Sequence, residues 1–98
     1  MTTNLYTPIT AGAPTTTVVC AKPCILSGIT INKTTASAII EIYDNTVASG
    51  ALVGTITMPA TLLASQVSLD YHDVYLAKGL TIKTTTAQDI TVSYRVSA

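Results

Sequence analysis

The stretch "DITVSYRV", Asp89 to Val96, decides the fold. Ile90, Val92, Tyr94 and Val96 alternate with Thr91, Ser93 and Arg95, so every second side chain is apolar. A helical stripe would repeat every third or fourth residue. A period of two is the mark of a strand with one face in a core and the other toward water. The same period runs upstream, with Ile40 and Ile42 against Glu41 and Tyr43, and Leu80 and Ile82 against Thr81 and Lys83. Val67, Leu69 and Tyr71 likewise alternate with Ser68 and Asp70. In "CILSGITIN", Ile25, Ser27, Ile29 and Ile31 are expected on one face, with Leu26, Gly28, Thr30 and Asn32 on the other.

Turn-forming clusters separate these runs at 32–37, 44–50, His72 with Asp73, Lys78 with Gly79, and 84–88. They recur at the spacing of roughly 8 to 12 residues typical of sandwiches and small barrels. "MPATLLASQ", residues 58–66, is read as a loop between two strands. The fold expected is all-β: an antiparallel β-sandwich of about eight strands, with a jelly roll as one arrangement.

Residues 1–17 differ from the rest, being rich in Thr, Pro, Ala and Gly, with Pro8 and Pro14 unable to donate to a sheet ladder. This segment is expected to be an extended N-terminal arm, and 18–98 the sandwich domain. Leu5, Tyr6 and Ile9 give a neighbouring surface something apolar to hold and are the candidate partner-binding residues. Such an arm either packs on another subunit or lies as a plain terminus on its own domain.

The chain has 98 residues, enough for one core and too few for two. It is 48% hydrophobic and only 10% charged, against about 25% charged in ordinary globular proteins. Apolar runs of four residues or fewer exclude a membrane-spanning helix, which needs about 20. Threonine, in "APTTT", "NKTTAS" and "KTTTAQ", supplies polar surface without charge. Such a surface suits burial against copies of itself. Five basic and five acidic residues leave no field to attract nucleic acid or anionic lipid, so neither is expected as a partner. The start "MTTNLYTPIT" has no basic n-region or apolar core, so no secretory signal is read there.

Three clusters invite a chemical reading. In "IIEIYDNTVASGALVG", Ile39 to Gly54, Glu41 and Asp44 are an odd number of positions apart and leave opposite faces of a strand, so they cannot act as a carboxylate pair. Asp44 and Asn45 are expected to end a strand, because their side chains bond nearby amides. Cys20 and Cys24, in "CAKPC", are too few for a zinc site with the single His, and an extended chain would hold them too far apart for a disulfide. Free, partly buried thiols are expected. Asp70, His72 and Asp73 could pair a base with a carboxylate, but no nucleophile motif accompanies them. No catalytic, cofactor-binding or metal-binding residue is assigned, no cofactor is expected, and the chain is not expected to be an enzyme.

The segments "CILSGITINKTTASAIIEIYDNTVASGALVGTITMPA" and "VSLDYHDVYLAKGLTIKTTTAQDITVSYR", with their "YDN", "ASG" and "DITVSYR" punctuation, resemble small β-sandwich structural proteins of tailed-bacteriophage virions. The resemblance covers Cys24 to Arg95 and leaves out residues 1–17. It implies a decoration or cement protein that binds the outer capsid surface and stabilises the shell, with the major capsid protein and a homotrimer of itself as partners. Location on the virion exterior, after assembly in the host cytoplasm, goes with it. The alternative it implies is a head-fibre or tail-associated module that binds host surface or glycans through tyrosines such as Tyr43 and Tyr75.

Overall fold

The computed structural model describes residues 5–11, 14–33, 37–57, 67–85 and 88–96. The expected loop at 58–66 lies outside the described residues, as do residues 1–4. The described residues form eight strands: β1 (Leu5–Ala11), β2 (Thr15–Cys20), β3 (Cys24–Lys33), β4 (Ile39–Tyr43), β5 (Leu52–Thr57), β6 (Val67–Leu76), β7 (Leu80–Thr84) and β8 (Gln88–Val96). They make two four-stranded sheets, β1-β8-β3-β6 and β2-β7-β4-β5.

All pairs are antiparallel, and the pairing is nested: β4 with β5, β3 with β6, β2 with β7, β1 with β8. A long hairpin whose tip is the β4–β5 turn has been rolled until its two layers face each other. This is the jelly roll form of the antiparallel sandwich. The core between the layers is built from Leu26, Ile29, Ile31, Ile40, Ile42, Leu76, Leu80, Ile82, Ile90 and Val92, all essentially without solvent contact. In β8 and β4 the alternation places Ile90, Val92, Ile40 and Ile42 inside, as their sequence requires.

β3 departs from the expected phase. Cys24 and Leu26 are buried before the bulge between Leu26 and Gly28, and Ile29 and Ile31 after it. Ile25 and Ser27 therefore do not share the face of Ile29 and Ile31. One extra residue, Ser27, shifts the period by one, which is what a bulge does to side-chain parity. Gly28 sits at the closest approach, since a Cβ there would stand 2.7 Å from the Leu69 carbonyl oxygen. Ser27 is the extra residue against β8; against β6 the bulge is on the other side, with Tyr71, His72 and Asp73 facing Ser27 alone and His72 and Asp73 at φ 54° and 60°, conformations that Asp and His adopt more readily than branched residues.

The segment expected to be an arm is extended, but over Leu5–Ala11 it is the edge strand of one sheet, in register with β8 from Leu5 opposite Tyr94 to Ala11 opposite Gln88. Thr15 to Thr17, placed with the arm by composition, open β2 of the other sheet. Pro8 is compatible with this because an edge strand has one side without ladder bonds to lose. Among the described residues, 5–11 and 15–17 are already part of the two sheets, and no division falls at residue 17.

Candidate functional site

The outer face of β3, β6 and β8 carries one of the clusters the sequence pointed to, Asp70, His72 and Asp73, together with Ser27 and Arg95. The β6 bulge turns Asp73 toward β8, where its carboxylate meets the Arg95 guanidinium twice: Nη1 to Oδ1 at 3.2 Å and Nη2 to Oδ2 at 3.2 Å. The Ser27 hydroxyl donates to the same Oδ1 at 3.0 Å and accepts from Arg95 Nη1 at 3.4 Å. The Arg95 bond, then the Ser27 bond, hold the Asp73 carboxyl below the usual carboxylate range. Asp70 accepts the His72 amide at 2.8 Å, and the imidazole Nδ1 lies 3.5 Å from its other oxygen, both side chains largely in water.

An open groove of about 280 Å³ runs beside this cluster, lined by Ser27, Gly28, Ser68, Leu69, Asp70 and Ser93. Chemically the cluster is a brace. Ser27 offers its proton to a carboxylate whose low pKa makes it a poor base, and His72 reaches Asp70 but no hydroxyl or thiol among the bonds of the described residues. Among the described residues no three His, Cys, Asp or Glu side chains come together in a way that could hold a metal ion.

Around the β4–β5 tip, Glu41, Asp44 and Asn45 each have a structural partner. Asp44 Oδ1 accepts the Lys78 amide at 2.9 Å, tying the hairpin tip to the β6–β7 turn. The Asn45 amide donates to the Ser49 carbonyl at 2.9 Å, and the Thr81 hydroxyl donates to the Asn45 carbonyl at 2.7 Å. That last bond satisfies Thr81, which is fully buried although it faces away from the core. Glu41 accepts the Tyr43 hydroxyl at 3.1 Å on the outer face of β4.

Of the candidate partner residues, Ile9 is 5% exposed and belongs to the chain's own core, whereas Leu5 and Tyr6 are 39% and 72% exposed on the edge strand. Tyr43 and Tyr75 stand on strands of different sheets and form no shared patch. Sequence reasoning missed the thiol pair. Ala21, Lys22 and Pro23 bend the chain, and Cys20 and Cys24 come together as free, buried thiols, near enough that Cys20 helps raise the Cys24 pKa. The extended spacing that argued against their proximity does not apply across that bend; Pro23 was the signal for it.

No protein-family model and no curated protein matches the chain. Among solved structures it is similar to a chain from the Bacillus endospore appendages, described as a novel family of disulfide-linked pili. The TM-score is 0.55 and the identity 20%, covering 99% of this chain and 88% of that one. At that identity the likeness establishes the fold: an all-β sandwich over nearly the whole chain. It also overturns the expectation of a capsid decoration or cement protein, along with the head-fibre and tail alternative. The structure that this chain resembles belongs to a bacterial appendage, a different kind of structural protein, and no family model ties the chain to a capsid.

Proposed function

We propose that the chain is a non-enzymatic structural subunit that joins copies of itself edge to edge, through the sheet β2-β7-β4-β5, into an extended fibre. The observation that carries this is an asymmetry between the two sheets in how their edges are protected. An open edge offers unpaired amides and carbonyls to any other strand, and proteins usually blunt it with proline, charge or a bulge. In the sheet β1-β8-β3-β6, β1 carries Pro8, and β6 carries Asp70, Asp73 and a pronounced bulge. In the other sheet β2 is "TTTVVC" and β5 is "LVGTIT", with neither charge nor proline, and their register shifts fall at one end of each strand, after Val18 and before Gly54.

The two bare edges fit one another. Each is six residues long, with a regular run of four, Thr15–Val18 in β2 and Gly54–Thr57 in β5. Directions in the sheet alternate strictly, so a translated copy would set its β2 antiparallel to the first copy's β5 and continue the ladder. Because the edges lie at opposite ends of the sheet, the contact is head to tail and propagates unless it happens to close. Few charges and many hydroxyls keep the desolvation cost of such contacts low. Pilus subunits in the Bacillus endospore appendages share this fold, which supports the same kind of task.

The ladder also says how to block each edge. Ile39 uses both its amide and its carbonyl toward Thr85, beyond β7, so alternate residues of β4 face β7 and those between face β5. Carried across the pairing, this leaves Thr16 and Val18 of β2 and Thr55 and Thr57 of β5 pointing their amides outward. Thr16→Pro and Thr55→Pro therefore each remove an outward donor and no inner one. In light scattering over rising concentration the wild type should grow without a fixed end size, and the double variant should stay a monomer. A wild type that stays monomeric, or stops at one closed oligomer such as a trimer, would refute the fibre reading.

A further inference from the structure

We infer that Cys20 and Cys24 form a redox site: an intrachain disulfide that closes by exchange with a small-molecule disulfide and staples the two sheets together. β2 ends at Cys20 in one sheet and β3 begins at Cys24 in the other, so this bend is a corner where the chain crosses between layers. Only three residues separate the two thiols across this corner, both are buried, and the Cys20 thiol donates to the Lys22 carbonyl at 3.3 Å, which holds it inside the bend.

The pair is directed inward. Cys24 has no solvent contact and Cys20 is 6% exposed, while Ala21, Lys22 and Pro23 around them are exposed and carry no sheet pairing. A second protein chain has no access to either sulfur, whereas a small disulfide needs only a displacement of the bend. Burial, then the neighbouring Cys20 and the charge of Asp44, push the Cys24 thiol up to about 12, so it rests as the neutral thiol. Cys20, nearer the solvent, is the first to react.

The chemistry balances as two exchanges. The Cys20 thiolate attacks oxidised glutathione, forming a Cys20–glutathione mixed disulfide and releasing one glutathione thiol. Cys24 then loses its proton to water and displaces the second glutathione from Cys20. Two protein thiols are oxidised and one glutathione disulfide is reduced to two thiols. The product is a five-residue ring that restricts the unfolded chain at the corner where the sheets meet.

The test is to incubate the folded protein with oxidised glutathione, quench by alkylation in denaturant, and weigh it. Expected is a mass lower by two hydrogen atoms, no alkylated cysteine, one internally bridged peptide, and a melting temperature raised by about 5–15 °C. Cys24→Ser should stop at the glutathione adduct on Cys20, and Cys20→Ser should leave Cys24 unmodified. Two alkylatable thiols after incubation of the wild type, a stable adduct in place of the bridge, or a disulfide-linked dimer would each overturn the proposal. The wild-type result decides the matter even if either variant fails to fold.

Discussion

Asp73 shows how a residue that looks chemical can be structural. It sits beside a histidine and within reach of a serine, yet its carboxylate is occupied by the Arg95 fork and the Ser27 hydroxyl. Its folded pKa lies below its unfolded value near 3.8. The stabilisation it gives is therefore complete above that value and is lost as pH falls through the folded pKa. Asp73→Asn should melt below the wild type near neutrality, and the gap should narrow in melting curves taken from about pH 6 down to about pH 2. A gap that stays constant across that range would mean the charge is not what matters. The sequence carried half of this: residue type marked His72 and Asp73 as an interruption, but they were expected as a turn between strands and are a bulge inside the single strand β6; the parity that separates Glu41 from Asp44 was legible. That Arg95 would close on Asp73 was not, because it depends on β8 and β6 lying on either side of β3.

At the scale of elements, alternation is informative only while the ladder stays regular. β8 and β4 could be read residue by residue. β3 could not, since Ser27 is an extra residue whose presence depends on how β6 and β8 pair with it. Gly28 was the available signal: glycine inside a strand often marks a bulge or a close approach of another backbone. Gly28→Ala would place its methyl 2.7 Å from the Leu69 carbonyl oxygen, which belongs to the backbone of the paired strand and cannot swing away. A loss of about 1–3 kcal/mol is expected in chemical denaturation, and an unchanged midpoint would show that the bulge can widen freely. β1 escaped recognition for a different reason. Proline and threonine read as an arm, and only the pairing of Leu5–Ala11 with β8, with Ile9 inside the core, makes it a strand.

For the whole molecule, composition conveyed a chain whose surface is poor in charge and suited to being covered, and the nested pairing explains where covering can begin. A rolled hairpin leaves four edges. Two of them, β1 and β6, carry proline or charge, and the other two, β2 and β5, lie at opposite ends of one sheet with neither. Strand order was beyond reach from periodicity, so the difference between the sheets became visible only with the fold. The most direct test of head-to-tail assembly mixes the two single proline variants. Thr16→Pro keeps only its β5 edge open and Thr55→Pro only its β2 edge, so each alone should be a monomer and an equal mixture should form heterodimers that grow no further. Free growth of either variant alone, or a mixture that remains monomeric while the wild type assembles, would contradict the β2-to-β5 junction.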